Sequence, residues 1–256
     1  MTSTKTVLVT DNITSDTTWV SGFKYIISTN IYVRDGIKLT IQDNASVCFL
    51  NNTSFNLVFE PGSKLNAGVI SSFAVDSSYN PVTTSNTGGW RFWGTKSSTY
   101  NGVIPVNTSR FTINQIDINY IGSFGLGSIY VDSCYAFETN FNVVNISNAT
   151  IGILSFNSTI NFNKLSLTNA INGLYILYTT INVLKKLVIT RGNFISYLSL
   201  SVIVVSKCAK FNINSELSDF YTINTNDIRV PTTTPYSIPY VANVELNSKL
   251  KIFSSI

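Results

Sequence analysis

The sequence contains no histidine, one methionine, six prolines and three cysteines, and only 12% of its 256 residues are charged. Without imidazole the chain lacks the usual general base, the commonest metal ligand and any Ser-His-Asp or Cys-His device. The cysteines, Cys48, Cys134 and Cys208, are too far apart for a CxxC pair or a zinc-ligand pattern. Their strand-like surroundings read as those of buried structural thiols, which suit assembly in a reducing cytoplasm; a disulfide between stacked positions is the alternative. No run of Ala, Leu, Glu and Lys recurs at helical spacing, so the chain is expected to be all-β. No apolar stretch is long enough to span a bilayer, and Met1 is followed at once by polar residues with no secretory apolar region. Assembly in the cytoplasm is the expectation that follows.

With so few charges, Asn, Ser and Thr must do much of the solvating. Asparagine makes up about one residue in eight, and its tolerance of left-handed backbone suits tight corners between strands. Asn at stacked corners can also form side-chain ladders.

Self-similarity carries the strongest signal. Asn140-Phe-Asn-Val-Val-Asn-Ile-Ser-Asn-Ala149 aligns without a gap on Asn161-Phe-Asn-Lys-Leu-Ser-Leu-Thr-Asn-Ala170, 21 residues on. A further copy at 182–192 needs one inserted residue, and an earlier one begins at Asn114. Between them recurs a second strand, opening at Gly127, Gly152 and Gly173. Strands this short cannot bury an apolar face alone, so successive copies must stack as coils of a solenoid. The period of two places Phe141, Val144 and Ile146 inward, on Phe162, Leu165 and Leu167, and then on Val183, Leu187 and Ile189. Asn145, Ser166 and Val188 then face out, and the run 197–205 is read as continuing the stack.

Near the start, the segments 13–19, 31–41 and 57–67 read as short alternating strands with Asp-Gly, Asp-Asn and Pro-Gly turns. Trp19, Tyr25-Ile-Ile27, Val33-x-Asp-Gly-x-x-Leu-Thr-Ile41, Glu60-Pro-Gly-Ser-x-Leu-x-Ala67 and Gly88-Gly-Trp-Arg-Phe-Trp-Gly94 together resemble the opening coils of right-handed parallel β-helix surface proteins. Those proteins are related in fold to the pectin-lyase superfamily and are encoded by many bacteria and some giant DNA viruses. The resemblance runs from Trp19 to Gly94 and implies a fold and an exposed setting, with no particular reaction. One departure is Asp43-Asn-Ala45, where the family tends to carry a Gly-containing turn, so this corner is expected to be rebuilt.

The expected architecture is a right-handed parallel β-helix over 1–230, with coils of about 21 to 28 residues, followed by a non-solenoid capping or interaction segment over 231–256. Long excursions are expected at 76–85 and 95–107. Three prolines between Val230 and Pro239 take the chain out of a regular ladder, and a last strand over 241–253 is expected to cover the open end.

Carboxylates remain the catalytic option, because β-helix glycosidases use paired acids and β-helix lyases use acid-bound calcium with a basic residue. The thirteen acids here are scattered singly, with none of the Asn-x-Asp or Arg-x-Lys clusters of pectin-degrading relatives. Asp117 and Asp132 lie on repeated strands and, as a catalytic pair, would approach on an outer face, the plainer reading being isolated solvating charges. In Gly88–Gly94, Trp90 and Trp93 would form a sugar platform with Arg91 bonding hydroxyls or carboxylates; the structural alternative buries one alternating set. Lys185, Lys186 and Arg191 form the one basic concentration in a chain of net charge +4, far short of a nucleic-acid track. Eight Asn-x-Ser/Thr matches, Asn12, Asn107, Asn145 and Asn157 among them, follow from composition and matter only in a secretory pathway.

The expectation is a non-catalytic structural protein without cofactor or metal: a virion surface or capsid-associated component of a large DNA virus, its Asn, Ile and Lys richness suiting an AT-rich genome. A glycan-binding adhesin or fibre module is the first alternative and a polysaccharide-cleaving enzyme the second. Partners are other structural proteins or further copies of the chain, with glycans as a further class, and neither nucleic acid nor membrane insertion is expected. The candidate interaction residues are Trp93, Arg91, Val188, Lys185, Lys186, Tyr236 and Tyr240.

Overall fold

The protein is described by a computed structural model over residues 5–84, 86–95, 108–123, 127–170, 172–190, 201–206, 210–215, 240–244 and 249–254, with side chains as far as Val183. All regular structure among these residues is strand. The first eight are β1 (Lys5–Val9), β2 (Thr17–Trp19), β3 (Phe23–Ile27), β4 (Ile31–Val33), β5 (Lys38–Ile41), β6 (Ser46–Leu50), β7 (Leu57–Phe59) and β8 (Lys64–Val75). Then come β9 (Trp90–Trp93), β10 (Arg110–Asn119), β11 (Ile129–Asp132), β12 (Thr139–Ser147), β13 (Ile151–Phe156) and β14 (Thr159–Thr168). The last are β15 (Asn172–Leu177), β16 (Thr180–Thr190), β17 (Ser201–Ser206), β18 (Lys210–Ser215), β19 (Tyr240–Val244) and β20 (Lys249–Ser254).

Chain neighbours do not pair. The strands form a twelve-stranded sheet, ordered β1-β3-β6-β8-β10-β12-β14-β16-β18-β20 with β2 and β5 beside that path, and an eight-stranded sheet, ordered β19-β17-β15-β13-β11-β9-β7-β4, and from β6 onward they alternate between the two. Every pairing between named strands is parallel. This all-parallel, two-sheet alternation is consistent with a β-solenoid, in which each pass of the chain lays one rung on each sheet.

The register expected between Asn140 and Ala170 is present: Phe141 pairs with Phe162, Val144 with Leu165 and Ile146 with Leu167. The next rung continues as Val183, Leu187 and Ile189, with a register shift between Phe162 and Lys164 that takes up the inserted residue. Two expectations shift. Gly127 aligns one residue out, because Ile129 pairs with Ile153 and so places Gly127 opposite Ile151. The run 197–205, as far as it is described, continues the other sheet: β17 lies against β15, and the stack of Val183 passes to Ile213 on β18.

Steps between paired residues range from 18 for Lys5 and Phe23 to 46 for Leu65 and Phe111, with 28 for Ile113 and Phe141 and 21 for Phe141 and Phe162. The regular step is a property of the middle of the chain. In the expected C-terminal cap, β19 and β20 each add a parallel strand to the two sheets, where the sequence reading places one strand over 241–253. The prolines at 231, 235 and 239 lie outside the described residues.

Corners explain the asparagines. Gly36 and Gly62 turn at φ 75° and 87° in the expected Asp-Gly and Pro-Gly positions. At the departed corner Asn44 takes φ 61° in place of glycine, and Asp43 Oδ1 accepts the Val69 amide at 2.6 Å. Gly68 leaves room for that carboxylate, since a Cβ there would stand 2.0 Å from Asp43 Oδ1. Later corners stack as well: Tyr120, Asn148 and Asn169, and likewise Ser133, Asn157 and Tyr178, all have positive φ.

Between the sheets runs one apolar core from Ile13 to Val183. Its axis carries an aromatic column in which ring centroids step from Phe59 to Phe92 by 5.1 Å, to Phe141 by 5.5 Å and to Phe162 by 5.6 Å. Each such pair contributes about 0.5–1.5 kcal/mol beyond its area burial. A second, smaller cluster of Ile26, Cys48 and Val75 lies apart from that core, with Phe73, Leu50 and Tyr79 packed against it. Tyr79 belongs to the expected excursion at 76–85, which therefore covers the cluster, held by Asp76 Oδ1 accepting the amides of Ser78 and Asn80.

Candidate functional site

Along the middle strands the two sheets present different chemistry to the outside. Along β10, β12 and β14 the outward positions include Asn114, Asp117, Asn119, Asn142, Asn145, Asn163 and Ser166, with Gln115, Val143 and Lys164 in a further row, none of them buried. They bond along the axis: Asn142 Nδ2 donates to Asn114 Oδ1 at 3.1 Å, Asn163 Nδ2 to Asn142 Oδ1 at 2.8 Å, and Asn148 Nδ2 to Asn119 Oδ1 at 2.8 Å. These amides thus bond to one another from rung to rung.

On the eight-stranded sheet, alternation sends Trp90 and Phe92 inward and Arg91 and Trp93 outward. Trp90 is fully buried and donates Nε1–H to Ser72 Oγ at 3.0 Å, so it is a core residue and no platform. Pairing then aligns two outward rows, Val58, Arg91, Tyr130, Leu154 and Tyr175 in one, and Trp93, Asp132 and Phe156 in the other. Trp93 is 38% exposed, and Tyr130, Phe156 and Tyr175 are half-buried. The rings of Tyr130 and Phe156 lie 5.7 Å apart. This outer face is apolar and aromatic where the other is amide.

Two charged groups lie within it. Arg91 is only 5% exposed, and Nη1 donates to the carbonyls of Trp90 at 3.0 Å and Gly127 at 2.7 Å. Its guanidinium lies 5.8 Å from the centre of the Tyr130 ring, and Nη2 has no partner among the described residues. Burial lowers its pKa to about 10, against a smaller opposing effect of Tyr130. Tyr130 donates its hydroxyl to Asp132 Oδ2 at 3.0 Å, and burial together with that carboxylate pushes the phenol up.

The remaining candidates lie elsewhere. Asp117 is on the twelve-stranded sheet, bonded to Asn145 and Gln115, while Asp132 is on the other, so the two acids are not brought together. Lys185, Lys186 and Val188 lie on β16, where Lys186 pairs with Lys164 and Val188 with Ser166, again on the sheet opposite Trp93. Tyr240 opens β19 on the Trp93 sheet, paired with Ser201; Tyr236, Arg191 and Cys208 lie outside the described residues. Cys48 and Cys134 are both fully buried. No group of three or more acid and cysteine side chains among the described residues could hold a metal ion, and no described helix is long and apolar enough to cross a membrane.

Tyr130, Phe156 and Tyr175 were not singled out from sequence. The available signal was the second repeat itself, in which an aromatic or leucine recurs at positions the period of two turns outward. No protein-family model, curated protein or solved structure matches the chain.

Proposed function

We propose that this chain is a non-catalytic structural protein, a right-handed parallel β-helix with coils of about 21 to 28 residues, carried as a surface or capsid-associated component of the virion of a large DNA virus. Its docking face is the outer side of the eight-stranded sheet. The observation that carries the reading is the contrast between the faces: one is an amide lattice bonded to itself, while the other leaves Trp93, Tyr130, Phe156 and Tyr175 partly in water. Contiguous exposed apolar and aromatic groups mark protein interfaces. Tyr240 extends the same sheet, which favours a partner that lies along it, either another structural protein or a second copy.

The test places a photo-cross-linking residue at position 93 and, separately, at the outward Ser166 of the opposite sheet, in the native particle or cell. Protein adducts from position 93 and none from Ser166 are expected. Adducts from neither position, with the purified chain monomeric, would reject the docking role. The adhesin reading is the second, favoured by Trp93 standing exposed beside the Tyr130–Asp132 pair, an aromatic plane next to polar oxygens. It requires glycan binding that disappears in Trp93→Ala.

A further inference from the structure

A groove of about 340 Å³ lies over the start of β12 and β14, away from the eight-stranded sheet. Its wall is Phe137, 44% exposed, with the Tyr135 ring stacked on it at 5.3 Å and 11°. Its floor includes Asn140, Asn161 and Asn163. We infer that this groove is a binding subsite for a neutral sugar residue, with Phe137 as the platform and the asparagine amides as the hydroxyl-reading groups. The inference is independent of the docking role given to the other sheet.

Three features support this ligand class. The first is geometry: a flat apolar plane beside a row of amides matches a sugar ring, which has one C–H face and a rim of hydroxyls, and the volume is near the lower end of the usual range of about 300–1,000 Å³ for small-molecule sites. The second is spare hydrogen-bonding capacity. Each amide offers two donors and two acceptor positions; Asn163 uses one donor toward Asn142, Asn161 accepts once from Asn182, and the Asn140 side chain makes no hydrogen bond among the described residues. The third is charge: none of the lining residues is acidic or basic, so nothing in the groove selects an anionic sugar over a neutral one.

The wall is also held in place before any ligand arrives. Glu138, 1% exposed, accepts the Thr95 amide at 2.9 Å and the Thr95 hydroxyl at 2.6 Å on Oε1, and the Tyr135 amide on Oε2. One buried carboxylate thus fixes the corner that carries Tyr135 and Phe137, and a ring already ordered loses less entropy on binding.

The test screens the full chain against an array of neutral and acidic oligosaccharides and measures hits by titration calorimetry. Neutral oligosaccharides should bind, Phe137→Ala should weaken them about tenfold, Asn140→Ala about three- to tenfold, and Trp93→Ala not at all. Circular dichroism verifies that each variant is folded; if Phe137→Ala is not, Asn140→Ala decides, since that exposed side chain holds nothing in place. The proposal is overturned if no neutral sugar binds, if only acidic ones do, or if binding survives in the folded variants. Loss in Trp93→Ala alone also overturns it and favours the adhesin reading.

Discussion

Replacing Leu165 by aspartate should abolish folding, whereas the same change one residue later should be nearly silent. Leu165 is 1% exposed and lies between Val144 and Leu187 in consecutive rungs. Truncating a buried leucine to alanine costs about 2–5 kcal/mol through lost transfer energy and the cavity left behind. A carboxylate there adds several kcal/mol more, since it must be buried unpaired or take up a proton. The sum exceeds about 5 kcal/mol, comparable with the whole stability of an ordinary domain at about 5–15 kcal/mol. Ser166 points the other way, between Asn145 and Val188, and Ser166→Asp should change stability by no more than about 0.5 kcal/mol. Far-UV circular dichroism melts and size-exclusion profiles of Leu165→Ala, Leu165→Asp and Ser166→Asp make the comparison. A soluble Leu165→Asp protein melting cooperatively near the wild-type temperature would refute both the register and the burial argument.

Removing the middle rung of an amide ladder should cost more than an ordinary surface change. Asn142→Ala breaks bonds to both Asn114 and Asn163, so the urea midpoint should fall by the equivalent of about 1–2 kcal/mol, and an unchanged midpoint would show that the ladder is decorative. Burial pushes the Cys48 thiol from 9.0 up to about 12, with a smaller opposing effect of Lys24. Between those values the folded chain keeps a proton that the unfolded chain releases, so this group's stabilisation is complete below pH 9 and is lost as pH rises toward 12. Wild type should therefore lose urea resistance faster than Cys48→Val over that window, and parallel curves would remove Cys48 as the cause. Incubation with acidic and neutral polysaccharides, with and without calcium, should release no reducing ends or unsaturated products; turnover lost in Asp117→Asn or Asp132→Asn would establish an enzyme.

The inward rows were legible because Phe141 and Phe162 recur at an identical step with the same polar partners between them, and the insertion in the next copy was visible as one extra residue. The Gly127 alignment slipped because a glycine match outweighed the alternation of Ile129 and Val131, which the ladder actually follows. In the first coils the corners within 31–41 and 57–67 were legible too, because Asp35-Gly36 and Pro61-Gly62 are turn signals and both glycines take positive φ. Corners at Tyr120, Ser133 and Tyr178 adopt left-handed backbone without an Asn or Gly to announce it, and their place became visible only once they aligned with Asn148, Asn169 and Asn157 in neighbouring rungs. The groove went unread for a different reason. Tyr135 and Phe137 stand in a corner outside the repeats, and only tertiary pairing brings Asn161 and Asn163 beside Phe137.

From Phe141 to Phe162 and from Ile153 to Leu174 both sheets advance by the same 21 residues. A segment such as 148–168 is therefore a complete rung with matching ends, and an in-frame tandem duplication of it would meet unchanged neighbours on either side. Each such event lengthens the molecule by one strand spacing, about 4.8 Å, while the aromatic column and amide rows simply gain a member. Reach is thus a heritable dimension of this protein, adjustable by recombination in whole steps without the redesign of a core.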